Sequence, residues 1–453
     1  MEGRIMKPKL HFTPTKNWMN DPNGFIYYKG EYHLFYQHFP YDTKWGTMHW
    51  GHKISKDLVH WQDQGIALYP SVDFDRNGCF SGSAIEVDGK LYLYYTAIVY
   101  NKLNPKNIHV TGDTFIASQA MMISPDGKIF NPETKQVVVP VLEEPLGHPT
   151  HTRDPKVWKE KDTYYMVLGS QYAYEKETMK GQLLFYKSQD GIHWDYLNAM
   201  KHPELNSNMW ECPDLFKLEK AQDYTLIMSP ENILRDGKNY PSHALWGWVD
   251  FDPSTGEASL KSELSYLDYG LDLYAPQTNI DKDGRRVMIS WLRMPQPSED
   301  GKWNGLFTYP RVITNHDGHL YFNVHPNIES LFTKEIDTIT FDEPIKISVD
   351  MNENSKINLG GYRIWMQDQA LHTSREQVFP SQGTLLNSSS PIGTHFHTPK
   401  VGDTCHIDIY LDTQVIEIYV NNGQYVLSNI VYSMTSDINI KNVDHLKIYQ
   451  VNE

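Results

Sequence analysis

A polar turn followed by a short apolar run decides the predicted fold, and it first occurs as Lys29-Gly30-Glu31-Tyr32-His33-Leu34-Phe35-Tyr36. A turn of this kind beside an aromatic or β-branched run is typical of a β-hairpin. The pattern returns at 88–95, 161–168, 222–228 and 283–291. A repeat of roughly 60 to 70 residues can hold a four-stranded sheet and its loops, so the chain is predicted to form a five-bladed β-propeller.

The pattern changes after residue 323. Residues 325–331 resemble a short linker, and alternating strands such as 345–349 and 406–410 then indicate a β-sandwich. The strand at 415–420, followed by Asn421-Asn422-Gly423, predicts a hairpin. We therefore predict an all-β protein with a propeller at 1–323, a linker at 324–332 and a C-terminal β-sandwich at 333–453.

Composition excludes several classes of function. The net charge is −15 over 453 residues, and without a Lys/Arg cluster we expect no binding to nucleic acid or to anionic membranes. The three cysteines, Cys79, Cys212 and Cys405, are far apart and predict neither a disulfide framework nor a zinc site. The sequence shows no signal-peptide pattern and no run of membrane-spanning length, so a cytoplasmic location is expected. It does not indicate an oligomeric state.

A second set of motifs lies about ten residues before each repeated strand. Four of the five contain proline, which a sheet tolerates at the first residue of a strand, so we expect each motif to begin the innermost strand of its blade. Innermost strands line the axis of a propeller, and Asp21, Asp154 and Glu211 are therefore predicted to meet at one mouth of the channel. The five motifs are Asn20–Pro22, Phe80–Ser83, Arg153–Pro155, Glu211–Asp214 and Tyr274–Gln277.

Three carboxylates in one pocket allow two kinds of chemistry. A calcium site usually draws several ligands from one D-x-[DN]-x-[DN]-G loop, and the sequence has no such run. Glycoside cleavage needs one carboxylate as nucleophile or base and another as protonated acid. Glu211, beside Trp210 and Cys212, is the better candidate for the acid. Neither a metal nor a cofactor is predicted, and a non-catalytic sugar-binding propeller is the alternative from another class.

Four motifs, in order along the chain, resemble the signatures of glycoside hydrolase family 32, the β-fructofuranosidases. In addition, residues 412–423 resemble part of the C-terminal sandwich of that family. The resemblance therefore spans the chain and implies a small carbohydrate substrate. The four motifs are Trp18-Met19-Asn20-Asp21-Pro22-Asn23-Gly24, Phe80-Ser81-Gly82-Ser83-Ala84, Arg153-Asp154-Pro155 and Glu211-Cys212-Pro213.

The resemblance also implies residue roles. Asp21 would attack the anomeric carbon, and Glu211 would protonate the leaving oxygen and then activate water, with net retention of configuration. Asp154 would stabilise the transition state, helped by Arg153. Trp18 precedes Asp21 in the first motif and is a candidate to line the same pocket. The residues implied to bind substrate are Asn20, Gln37, Trp45, Phe80, Ser81, Arg153 and, less directly, Trp303.

The implied substrate is sucrose or sucrose 6-phosphate, because the chain is similar to the bacterial intracellular branch of the family. Fructan exo-hydrolysis and fructosyl transfer would use the same catalytic residues and are the alternatives. Recognition of a 6-phosphate needs a local group of cations or amides. Lys53, Arg293 and Arg311 are the cations that the sequence offers for that purpose.

Overall fold

The computed structural model describes residues 7–104, 114–175, 178–219, 221–231, 234–235, 238–239, 243–379 and 392–452. Almost all regular structure in these ranges is β-strand, and the α-helix among them is the single turn α1, Pro326–Glu329. The all-β prediction is confirmed. Within the same ranges, no helix is long and apolar enough to cross a membrane.

Five antiparallel sheets follow one another along the first 324 residues of the described chain. Blade one contains β1 (Asn17–Tyr28), β2 (Glu31–Phe39), β3 (His49–Ser55) and β4 (Trp61–Leu68). Blade two contains β5 (Gly78–Val87), β6 (Lys90–Tyr100), β7 (Phe115–Ser124) and β8 (Gln136–Val139). Blade three contains β9 (Thr152–Glu160), β10 (Thr163–Glu175), β11 (Thr178–Ser188) and β12 (Asp195–Lys201).

The last two blades carry additional short strands. Blade four contains β13 (Met209–Lys217), β14 (Tyr224–Glu231), β17 (Leu245–Phe251), β18 (Ala258–Leu260) and β19 (Ser265–Tyr266), and β15 (Leu234–Arg235) pairs with β16 (Lys238–Asn239) beside it in sequence. Blade five contains β20 (Leu273–Ile280), β21 (Arg286–Leu292), β23 (Leu306–Phe307), β24 (Arg311–His316) and β25 (His319–Val324). The remaining short strand, β22 (Trp303–Asn304), pairs in parallel with β1 of blade one.

The innermost strands form a closed ring. β1 contacts β5, β5 contacts β9, β9 contacts β13, β13 contacts β20, and β20 returns to β1. The parallel pairing of β22 with β1 adds a backbone connection between the last and first blades. Because the ring closes, the five sheets form the predicted five-bladed propeller.

Each innermost strand contains a β-bulge at the equivalent place. The register shifts at residues 20–21 in β1, 81 in β5, 154–155 in β9, 212–213 in β13 and 275–276 in β20. The expectation that proline marks the first residue of each strand is wrong, because β1, β9, β13 and β20 all begin before their prolines. Proline is tolerated inside these strands because the bulge interrupts the ladder of backbone hydrogen bonds.

Two packed sheets form the C-terminal part, as predicted. One sheet contains β26 (Phe332–Glu335), β27 (Ile345–Asn352), β32 (Thr404–Asp412), β33 (Val415–Val420), β34 (Tyr425–Ile430) and β36 (Asp444–Val451). The other contains β28 (Lys356–Leu359), β29 (Tyr362–Gln367), β30 (Ala370–Ser374), β31 (His395–Lys400) and β35 (Ile438–Lys441). Alternating apolar residues of both sheets share one core. We propose 324–332 as the linker, since it contains α1 and ends where β26 starts.

A buried ionic cluster joins the propeller to the sandwich. Arg311 of β24 donates to Asp268 at 3.0 Å and to Glu417 of β33 at 2.7 Å, and none of these side chains is exposed. His11 contacts Glu417 and Asp412 through its two ring nitrogens, at 3.0 and 2.9 Å. Burial raises the pKa of Glu417, but the charge of Arg311 and the hydrogen bond with His11 outweigh it and lower this pKa to about 2. The cluster therefore fixes the two parts relative to each other.

Replacing Arg311 with Met should destabilise the whole protein. The change leaves two carboxylates buried without their cation, so the free energy of unfolding should fall by about 3–5 kcal/mol. Chemical denaturation followed by tryptophan fluorescence measures the change. Lys302→Met is the control, because the ion pair of Lys302 with Asp300 is largely exposed and its loss should leave the midpoint near that of the wild type. Equal midpoints for Arg311→Met and the wild type would contradict this account of the interface.

Candidate active site

A cavity of about 440 Å3 opens at one mouth of the ring of innermost strands. Asp21, Asp154 and Glu211 all line it, although they lie on three different blades. Behind it, residues at or next to the bulges of the five blades converge on a narrow void around the axis. The bulges therefore bring the three predicted carboxylates together. The residues that line the cavity are Asn20, Asp21, Gln37, Trp45, Phe80, Ser81, Tyr100, Phe115, His151, Arg153, Asp154, Glu211 and Glu231.

Two residues from the sequence analysis lie away from this cavity. Trp303 is 3% exposed and packs in a hydrophobic cluster, and its backbone pairs with that of Asn17. Trp18 is also buried, and its indole N–H donates to the Asn20 carboxamide oxygen at 2.8 Å. The structure therefore gives Trp303 a packing position, and it places Trp18 behind Asn20, where it orients that amide.

Four lining residues were not identified from the sequence: Tyr100, Phe115, His151 and Glu231. Tyr100 and Glu231 end β6 and β14, the second strands of blades two and four. Each second strand runs antiparallel to its innermost strand, so its end lies beside the start of that strand and reaches the same mouth. The ends of the second strands of the other three blades, Phe39, Glu175 and Leu292, do not line the cavity, so a strand end alone does not identify a lining residue.

Among the described residues, neutral polar groups are the hydrogen-bond partners of Asp21. The Asn20 amide donates to Oδ1 at 3.0 Å, and the Ser81 hydroxyl donates to Oδ2. Burial is the main cause that raises the pKa of Asp21 to about 6; the nearby charge of Glu211 also raises it, and the Ser81 hydrogen bond opposes both. Such a carboxylate is ionised above about pH 6, and no cation of the described residues forms an ion pair with it.

Asp154 is held by the backbone of a neighbouring blade. The Cys212 amide donates to Oδ2 at 2.8 Å, and the Cys212 thiol lies 3.6 Å from Oδ2 of both Asp154 and Asp21. Both Asp154 (φ 65°) and Cys212 (φ 47°) adopt the left-handed conformation, which is strained for residues with a side chain. Burial raises the pKa of Asp154, and the charge of Arg153 opposes this. The two strained bulges are what place these groups face to face.

Glu211 has a different partner on each oxygen. Arg153 donates to Oε1 twice, from Nε at 3.0 Å and from Nη2 at 2.8 Å. The Tyr274 hydroxyl contacts Oε2 and also lies 3.0 Å from the carbonyl oxygen of Ser229. A guanidinium offers only donors, so Oε1 must accept, and a proton on this carboxyl group belongs on Oε2 beside Tyr274.

Family models match almost the whole chain. The model of the glycosyl hydrolases family 32 N-terminal domain matches residues 11–325, and that of the family 32 C-terminal domain matches residues 341–451. The chain belongs to glycosyl hydrolase family 32. Its two matched regions coincide with the propeller and the sandwich.

Curated relatives and solved structures agree with this membership. The chain is 33% identical to a sucrose-6-phosphate hydrolase of Escherichia coli, over 95% of this chain and 90% of that protein. It is also 33% identical to a raffinose invertase of Escherichia coli, with the same two coverages. The structure of a sucrose-6-phosphate hydrolase from Lactobacillus gasseri is 25% identical, with a TM-score of 0.84 over 99% of this chain and 94% of that one.

The three cations considered for a phosphate group do not line the cavity of this family 32 protein. Lys53 donates to the carbonyl oxygen of Thr13, and Arg293 is fully buried with bonds to the backbone of residues 271 and 272. Arg311 belongs to the ionic cluster between propeller and sandwich. None of the three is therefore placed to hold a phosphate group in this cavity. The described residues also contain no group of three or more His, Cys, Asp or Glu side chains that could hold a metal ion.

Replacing Ser81 with Ala should raise the pKa of Asp21 above about 6, because the hydroxyl stabilises the ionised carboxylate. A pH titration of 13C-labelled aspartate carboxyl groups by NMR measures the change, with the Asp21 signal assigned by its loss in Asp21→Asn. The hydroxyl is retained in Ser81→Thr, which should lie closer to the wild type. An Asp21 titration that is the same in Ser81→Ala and the wild type would contradict the role of this hydrogen bond.

Proposed function

We propose that this protein is a retaining β-fructofuranosidase that hydrolyses the terminal fructofuranoside of a small carbohydrate, either sucrose or sucrose 6-phosphate. One observation carries the proposal: two carboxyl groups of one cavity have opposite surroundings. Asp21 accepts neutral hydrogen bonds and is poised to attack, whereas Glu211 is oriented by Arg153 and Tyr274. The division of labour between two carboxyl groups in glycoside cleavage requires such a difference. The names of the relatives support the substrate class.

In the first step, an oxygen of Asp21 attacks the anomeric carbon of the fructosyl unit. The glycosidic bond breaks, and its electron pair goes to the bridging oxygen, which takes the proton of Glu211. Glucose, or glucose 6-phosphate, leaves, and a fructosyl ester forms on Asp21. Ser81 and Asn20 hold the nucleophile in place without neutralising it with a full positive charge.

In the second step, Glu211 takes a proton from water, and the water oxygen displaces Asp21 from the anomeric carbon. Tyr274 suits both steps because its hydroxyl has two neighbours. When Glu211 is ionised, the hydroxyl donates to Oε2. When Glu211 is protonated, the hydroxyl can donate to the Ser229 carbonyl and accept from the carboxyl group instead. One side chain thus supports the acid form and the base form.

The rest of the cavity suits a sugar ring. Trp45 and Phe80 meet edge to face, with ring centroids 5.8 Å apart, and form an apolar wall. Gln37 is held by a hydrogen bond from its amide to the carbonyl oxygen of Cys79. We propose that Asp154 accepts hydrogen bonds from ring hydroxyls and stabilises the positive charge that develops in the transition state.

The variant Asp21→Asn should lose sucrose hydrolysis by at least roughly 10⁴-fold, because a carboxamide cannot form the covalent intermediate. Release of glucose from sucrose measures the loss, and NMR of the first product should show retained configuration in the wild type. Asp162→Asn is the matched control, since Asp162 lies in an exposed hairpin turn. Full activity of Asp21→Asn would overturn the assignment. Sucrose that binds to the wild type without release of glucose would instead indicate a sugar-binding protein.

A comparison of substrates tests the proposed preference for sucrose or sucrose 6-phosphate over fructans. We expect a higher kcat/KM on sucrose or sucrose 6-phosphate than on a short inulin, in line with the names of the relatives. Steady-state kinetics on the three substrates measures the order. A preference for inulin would favour a fructan exo-hydrolase, and fructosylated oligosaccharides at high sucrose concentration would show a transferase.

A further inference from the structure

A fourth carboxylate, Glu231, lines the cavity beside the three that the sequence analysis identified. It ends β14 and lies opposite Met209, two residues before Glu211 on the neighbouring strand. Its Oε2 is 3.6 Å from Nη2 of Arg153, and the same nitrogen donates to Glu211 at 2.8 Å. One guanidinium therefore lies between two carboxylates.

The position of Arg153 creates an electrostatic conflict. Its two hydrogen bonds fix the orientation of Glu211, as a general acid requires. A positive charge this close also favours the ionised form of a carboxyl group, and an ionised Glu211 has no proton to give. The enzyme needs the orientation from Arg153 without the full effect of its charge.

We propose that Glu231 is a positioning residue for the general acid: by sharing the charge of Arg153, it lets the guanidinium orient Glu211 while Glu211 keeps its proton. The inference rests on the proposed function, because it assigns the acid role to Glu211. Glu231 acts through Arg153 and takes no part in the covalent chemistry. The side chain of Glu231 is more exposed than that of Glu211, 21% against 11%, and this suits a group that acts on a neighbouring side chain.

Other charged and titratable groups face the same cluster and must be held constant in a test. Asp21 and Asp154 face it from β1 and β9, and Tyr274 faces it from β20. His151 lies 3.3 Å from Nη1 of Arg153, and the guanidinium of Arg293 packs against the ring of Tyr274. A substitution at Glu231 leaves all of these in place, so a change in the pH dependence reports on Glu231 itself.

The test is the pH profile of kcat/KM on sucrose for Glu231→Gln. Loss of the carboxylate leaves the charge of Arg153 less compensated, and an uncompensated positive charge favours the ionised form of a neighbouring carboxyl group. The midpoint of the alkaline limb should move to lower pH by about 0.5 to 1 unit. At a fixed pH on that limb, kcat/KM on sucrose should therefore fall by about 3- to 10-fold. Glu231→Asp keeps the charge and should restore most of the wild-type profile. Glu257→Gln removes one exposed charge far from the cavity and should leave the profile unchanged.

A second substrate separates this role from general damage to the fold. An aryl β-D-fructofuranoside, such as the p-nitrophenyl compound, has a leaving group that departs without protonation. Glu231→Gln should therefore lose activity on sucrose at alkaline pH and keep it on the aryl substrate. An unmoved alkaline limb on sucrose, or an equal loss on both substrates, would overturn the inference. If the wild type does not hydrolyse sucrose at all, the proposed function fails instead.

Discussion

The β-bulge in each innermost strand is the constraint on which the rest of the site depends. A regular strand would direct alternate side chains to its two faces. The bulge inserts extra residues at the equivalent place in every blade, so Asp21, Asp154 and the amide of Cys212 are directed to one point near the axis. The left-handed conformations of Asp154 and Cys212 store backbone strain, and the closed ring of strands supports it.

Different electrostatic surroundings then distinguish the carboxylates of the cavity from one another. Four carboxylates share a cavity with one arginine among its described lining residues, and that arginine contacts Glu211 and Glu231 while Asp21 has only neutral partners. Identical functional groups thereby receive different tasks. We propose that Arg153 orients Glu211 and that Glu231 limits the effect of the guanidinium charge on Glu211. The Tyr274 hydroxyl can form a hydrogen bond with both the protonated and the ionised form of Glu211.

The sequence predicted the architecture well because the repeat of turn and apolar strand reflects backbone pairing within each blade. It also predicted which carboxylates meet, since equivalent positions of a closed ring converge. The prolines were predicted at the first residue of each strand, but they lie inside the strands beside the bulges. Sequence composition does not distinguish a β-bulge from the start of a strand. It gave Trp303 a substrate role, whereas packing against the N-terminal segment decides its position. Glu231 was missed because its importance comes from a contact with Arg153 across two blades, and no local pattern reports such a contact.

The most direct test of the central claim is to identify the residue that carries the covalent intermediate. The variant Glu211→Ala should accept a fructosyl group from an aryl β-D-fructofuranoside, which needs no acid, and should release it slowly for want of a base. Mass spectrometry of the quenched and digested protein should then find one fructosyl unit on the peptide that contains Asp21. An adduct on a different residue, or rapid turnover of this variant with inverted product, would contradict the account.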